Sequence, residues 1–132
     1  MIRTIIAASV AIMAVASVHA QEAPQFLKDI TPPSDISASW EEMRAIMNPK
    51  GDLDSKTKEL IGLGVAAQIP CVYCIYAHTV GAKAAGATDA QIKEAIAVSA
   101  FVRKMSTELN GSSYDMASFK KQVDTLYGKP SQ

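Results

Sequence analysis

The chain has 132 residues, room for one domain rather than two. Thirteen Lys and Arg balance thirteen Asp and Glu, so no basic surplus is available to neutralise phosphates, and charge argues against a nucleic-acid partner. Two cysteines are too few for a small disulfide-scaffold fold.

Residues 1–20 read as a secretory signal peptide. Arg3 supplies a short basic start, and the apolar run from Ile5 to Val18 is broken only by Ser9 and Ser17. Val18-His19-Ala20 then offers small or modest side chains at a cleavage site. The run is short of the ~20 apolar residues a spanning helix needs. Cleavage is expected rather than retention as an anchor, so that the mature chain starts at Gln21 and has no membrane attachment. The expected location is the periplasm or the medium.

Residues 21–38 are expected to form an N-terminal arm without helix, because of Pro24, Pro32 and Pro33. The remaining residues, 39–128, read as one helical domain. Ser39 and Glu42 have the spacing of a capping box ahead of Met43, Ile46 and Met47, and Asn48-Pro49-Lys50-Gly51 closes that helix. Asp54 is a candidate N-cap for a helix over about 55–68, with Leu60, Leu63 and Ala67 on its apolar face. Ile69-Pro70 stops it. A third helix runs from about Cys71 to Ala85, with Gly86 as its C-terminal cap. Thr88 and Gln91 form a second capping box for a helix reaching about Leu109. Asn110-Gly111 reads as a turn, and Ser112 or Ser113 opens a last helix through Met116, Phe119, Val123 and Leu126. The pattern predicts an all-α domain of about five helices. Gly62, Gly64, Ala66, Gly81, Ala82, Ala84 and Ala85 are small residues that let two helices approach closely around Pro70, or are simply spacers and good helix formers.

Cys71-Val72-Tyr73-Cys74 is a CxxC motif, and His78 follows four residues later. At about 100° per residue, positions 71, 74 and 78 lie within roughly 60° of one another on a helix. Pro70 places Cys71 at the helix start, where free N–H groups favour a thiolate. His78 stands at i+4 from Cys74 and can take its proton. Four readings compete. A structural disulfide across so short a loop contributes little stability. A zinc site wants four ligands, and Cys71, Cys74 and His78 give three, with Glu59 the only ready fourth. A c-type haem needs histidine directly after the second cysteine, where Ile75 stands. A reactive dithiol is the fourth reading and the one favoured, with no metal and no cofactor expected. Thioredoxin is excluded as the host, because its motif requires a βαβ context.

The segments Leu53-Asp54-Ser55-Lys56-Thr57-Lys58-Glu59-Leu60-Ile61, Cys71-Val72-Tyr73-Cys74-Ile75-Tyr76-Ala77-His78 and Gly86-Ala87-Thr88 together resemble the AhpD-like alkylhydroperoxidases, the redox branch of the carboxymuconolactone decarboxylase family. The resemblance covers about Ala38 to Ser106 and centres on Glu-x11-Cys-x2-Cys-x3-His, met by Glu59, Cys71, Cys74 and His78. It implies a compact helical domain with an active-site helical hairpin, assembled as a homotrimer or hexamer. It also implies peroxide reduction through the two cysteines, with Cys74 as nucleophile, Cys71 resolving, and Glu59 and His78 relaying protons. From the residues alone, the favoured reading of Glu59 is an exposed helix charge paired with Lys56 or Lys58. Some members carry histidine between the cysteines, where this chain has Tyr73. Tyr73 and Tyr76 flank the site, either shaping a substrate mouth or serving as packing residues. The expected function is that of an exported thiol-dependent peroxidase supplied by a dithiol or thioredoxin-like reductant. The alternatives are a protein disulfide oxidoreductase without peroxidase turnover and a non-catalytic helical binding module.

Overall fold

A computed structural model describes residues 22–128 of the chain, and the predicted leader at residues 1–20 lies outside them. All regular structure among the described residues is helical. The helices are α1 (Gln25–Ile30), α2 (Ile36–Ile46), α3 (Ser55–Gln68), α4 (Val72–Ala84), α5 (Asp89–Gly111) and α6 (Met116–Leu126). The chain divides into two compact units, meeting in sequence between Arg44 and Ala45.

The first unit holds α1 and most of α2. The arm was expected to be free of helix, and α1 corrects that. Pro24 precedes the first helical residue with φ −62° and ψ 151°, a conformation suited to an N-cap. Its carbonyl accepts from the N–H groups of Leu27 and Lys28 at 3.0 and 3.3 Å. The prolines therefore bracket a six-residue window instead of interrupting it, and a proline at a helix entrance removes no needed donor. The start of α2 also differs. A turn in which the Asp35 N–H donates to the Pro32 carbonyl at 2.8 Å leads into the helix, and the Ser39 N–H donates back to Asp35 at 2.9 Å. Ser39 thus lies inside α2, and its pattern with Glu42 is not used as a cap.

In the second unit, local chemistry sets the ends of α3 and α4 and the start of α5 where the sequence places them. The Asp54 carboxylate accepts from the Thr57 N–H at 2.7 Å and starts α3. Cys71 is the N-cap of α4. Gly86, at φ +83°, closes α4 in the left-handed conformation that glycine adopts freely. There the N–H of Ala87 reaches the carbonyl of Ala82 at 2.8 Å and that of Gly86 reaches Lys83 at 3.0 Å, the paired bonds of a Schellman end. Thr88 and Gln91 bond reciprocally at 3.1 and 3.0 Å and open α5.

The last helix differs from expectation. Asn110 and Gly111 complete α5, which ends where the Ser112 hydroxyl donates back to the Glu108 carbonyl at 2.7 Å. Ser113 takes φ +50° in the turn, and Asp115 rather than either serine caps α6, its carboxylate accepting from Ser118 N–H at 2.8 Å. The serine hydroxyl is already committed to the helix behind it, so the next strong acceptor in sequence becomes the cap.

Packing within this unit is among α3, α4 and α5. Leu63, Ala82 and Ile92 form the buried cluster, with Leu60, Ile75 and Ala87 packed against it. Ala66 is also buried. A clamp closes the far end of α3. Arg103 donates from Nε to Gln68 Oε1 at 2.6 Å and from Nη2 to the Gln68 carbonyl at 3.1 Å, while Gln68 Nε2 donates to the Ser99 carbonyl. This satisfies one of the carbonyls a helix end leaves open and fixes the exit toward Pro70 and Cys71. Gln122 ties α6 back to the preceding turn by donating to the Tyr114 hydroxyl at 2.6 Å.

The acidic caps give stability a pH dependence. The backbone N–H of Thr57 holds the Asp54 carboxyl below its ordinary value, and that of Ser118 does the same for Asp115. An unfolded aspartate titrates near pH 3.9. The folded value is lower, so the stabilisation is complete above about pH 4 and is lost as pH falls through the folded value. Asp54→Ala is expected to lower Tm at pH 7, with the gap from wild type narrowing below about pH 4. Calorimetric melts across that range test it, and a gap of constant size would assign the loss to something other than the carboxylate.

Candidate active site

The site is built on the α3–α4 hairpin. Cys71 and Cys74 are joined by a disulfide, with their Cα atoms 5.3 Å apart. The Cys74 N–H donates to Cys71 Sγ at 3.2 Å, so the sulfur occupies the capping position of α4. Free N–H groups at a helix start favour negative charge there, and the thiolate formed on reduction is the charge they would meet.

One turn beyond Cys74, His78 reaches across to α3. Its Nδ1 lies 2.7 Å from Glu59 Oε2, and the two side chains are 29% and 19% exposed. With Glu59 ionised, Nδ1 carries the hydrogen-bonded proton and Nε2 presents its lone pair. Lys58, one of the two partners considered for Glu59, instead donates from Nζ to the Asn48 carbonyl at 2.8 Å.

Cys74 and His78 both line an open cleft of about 560 Å³. Its other walls are Lys58 and apolar residues that include Ile46, Met47, Leu53, Ile61, Val65 and Ile69. Cys71 does not line it. The two sulfurs therefore have different surroundings, one at the helix start and the other on the cleft beside the imidazole. Tyr73 and Tyr76 are 85% and 73% exposed, and neither borders the cleft. Among the described residues no three His, Cys, Asp or Glu side chains converge to hold a metal ion.

All four residues singled out in the sequence are thus brought onto one hairpin: the cysteines bonded to each other, Glu59 bonded to His78, and His78 sharing a cleft with Cys74. Sequence reasoning missed the cleft walls. Ile46, Met47 and Leu53 reach the site through the turn between α2 and α3, and no spacing rule links them to the CxxC motif.

Comparison with known proteins agrees with this geometry. The model of the carboxymuconolactone decarboxylase family matches residues 35–114. The core of alkylhydroperoxidase AhpD from Rhodospirillum rubrum is similar in structure, with a TM-score of 0.60 and 30% identity over 64% of this chain and 62% of that one. An uncharacterized protein in the cox locus of Paracoccus denitrificans is 39% identical over 70 residues, 53% of this chain and 63% of the relative. The chain thus spans somewhat less than two thirds of either relative. With a helical fold, a cysteine pair on its hairpin and a family match over most of the described residues, the chain belongs to the carboxymuconolactone decarboxylase family.

Proposed function

We propose that the protein is a thiol-dependent peroxidase that reduces peroxides through a Cys71/Cys74 dithiol–disulfide cycle. The observation that carries this reading is the cleft shared by Cys74 and His78, with Glu59 bonded to the far nitrogen of the imidazole. The likeness to an alkylhydroperoxidase core supports it. In the reduced protein, His78 takes the proton of Cys74, and the thiolate attacks the terminal oxygen of a peroxide. The O–O bond breaks, Cys74 becomes a sulfenic acid, and the leaving alkoxide or hydroxide collects the proton through the imidazole. Cys71 then attacks the Cys74 sulfur, releasing water and closing the disulfide. An external dithiol or a thioredoxin-like protein restores both thiols and is itself oxidised to a disulfide.

Glu59 acts by holding His78. Glu59→Gln keeps the shape and removes the charge, so peroxide reduction should fall by roughly 10²-fold with the helical spectrum intact. Steady-state assays supplied in turn with dithiothreitol, dihydrolipoamide and thioredoxin read both the activity and the reductant. No turnover with any peroxide would leave disulfide exchange with a protein as the better account.

The roles of the cysteines are separable. In Cys71→Ser, peroxide should leave a sulfenic acid on Cys74 that a dimedone-type probe traps, since no resolving thiol remains. In Cys74→Ser little should be trapped, because Cys71 lies off the cleft and seven residues from His78 rather than four. Mass spectrometry of both variants decides, and an adduct mainly on Cys71 would exchange the two roles.

Export and self-assembly belong to the same proposal. The N-terminal pattern supports a periplasmic protein starting at Gln21. Exposed Val98, Phe101 and Val102 on α5 support self-association, and the resemblance to the AhpD-like alkylhydroperoxidases makes a homotrimer or hexamer the expected form. Intact mass of envelope-purified protein and light scattering at micromolar concentration check these, and a retained Met1 or a monomer would reverse them.

A further inference from the structure

Two helical glycines of the hairpin have no conformational reason to be glycine. Neither Gly62 in α3 nor Gly81 in α4 is among the positive-φ residues. Inside a helix, glycine is intrinsically less favourable than alanine. What distinguishes them is what lies above each. A Cβ built on Gly62 would fall 2.6 Å from Cε1, 2.7 Å from Nδ1 and 2.8 Å from Nε2 of His78. A Cβ built on Gly81 would fall 2.6 Å from the Glu59 carboxyl carbon and 2.7 Å from both carboxylate oxygens. Carbon contacts are comfortable only at about 3.5–4 Å. The imidazole from α4 thus rests on bare backbone of α3, and the carboxylate from α3 rests on bare backbone of α4.

The pairing is reciprocal in sequence as well. Gly62 and His78 lie eight residues either side of Pro70, and Glu59 and Gly81 lie eleven either side. A hairpin that turns at Pro70 brings each side chain opposite its own glycine. Gly64 gives the contrast, since its added Cβ would meet Ser99 Cβ at 3.6 Å, an ordinary contact.

We propose that Gly62 and Gly81 are positioning residues, two facing slots that seat the imidazole and the carboxylate so that His78 Nδ1 meets Glu59 Oε2. The atoms in conflict with an added methyl are the ends of rotatable side chains. Alanine at either position therefore displaces the pair while the helices stay in place. The kinetic consequence rests on the peroxidase reading, whereas the seating itself does not.

The test uses the full chain carrying Gly62→Ala, Gly81→Ala or the control Gly64→Ala. Nitrogen NMR of the histidine ring reads the tautomer of His78, with His78→Asn identifying its signals against those of His19. Wild type and Gly64→Ala should hold a single Nδ1–H tautomer in spectra taken where the ring is neutral. Gly62→Ala and Gly81→Ala should give a mixture, with melting temperatures close to wild type. Oxidation of the reduced protein by cumene hydroperoxide should slow about 10²-fold in both, and Gly81→Ala should add nothing to Glu59→Gln. Two results overturn the proposal: a wild-type His78 signal in both variants, or variants that lose their fold, which would make the glycines spacers for the helices themselves. If reduced wild-type protein does not react with peroxide, the peroxidase reading fails, and the ring-nitrogen spectra still decide the seating.

Discussion

The close approach of α3 and α4 is the constraint on which the second unit depends. It is set at Leu63, Ala66 and Ala82, all buried, with Ile92 of α5 packed against Leu63 and Ala82. Among the described residues Leu63 is the one large side chain that is wholly buried, and its burial contributes roughly 1.5–3 kcal/mol. The alanines add little area of their own. Their effect is geometric, since short side chains let the helix backbones come near enough for groups on one to bond across to the other. The tight connection through Pro70 and the Arg103–Gln68 clamp hold the hairpin closed at its turn. Cys71 and Cys74 lie just past that turn, so whatever fixes the turn also fixes the dithiol.

With so few large side chains buried, much of the apolar surface of α5 and α6 faces outward, and so do Ile61 and Val65 of α3. Val65, Phe101, Val102, Met116 and Leu126 are each more than half exposed. A chain of this size hides only roughly 65% of its unfolded surface, and an unpaired apolar stripe on a long helix is the usual mark of a surface that meets another protein. Ion pairs do not make up the difference. Lys83 and Asp89 meet at 3.0 Å, but their side chains are 56% and 77% exposed, and such pairs contribute little.

Much of this was legible in the sequence because it is local chemistry. Asp54, Gly86 and the Thr88–Gln91 pair each decide a helix end through bonds within six residues, and all three were readable from spacing. The failures share a cause. Ser39, Ser112 and Ser113 are competent caps, yet the neighbouring turns at Pro32–Asp35 and at Asp115 had first claim on the chain. Which of several nearby caps is used depends on where the previous element stops, and that is a tertiary matter. In the site, the stripe of Cys71, Cys74 and His78 follows from helical periodicity alone. Glu59 did not. From the residues a surface charge was the favoured reading, and only the family pattern singled it out. The glycines at 62 and 81 were visible as small residues, but a spacing rule cannot name the side chain that will lie on top of them.

Magnitudes indicate what the Glu59–His78 contact is for. A partly buried hydrogen bond of this kind contributes about 0.5–1.5 kcal/mol to folding, or somewhat more if charged. Two glycines inside helices, in place of alanines, each cost about 0.5–1 kcal/mol. The gain and the cost nearly cancel, so the arrangement adds little net stability to the hairpin. What it does provide is orientation. One imidazole nitrogen is occupied by a carboxylate from the opposite helix, and the ring sits on the same cleft as Cys74. The other sulfur is held at the helix start by the backbone itself. The fold thus gives the two cysteines unequal partners, a side chain for one and the helix terminus for the other. That inequality is the physical ground for assigning attack to one and resolution to the other.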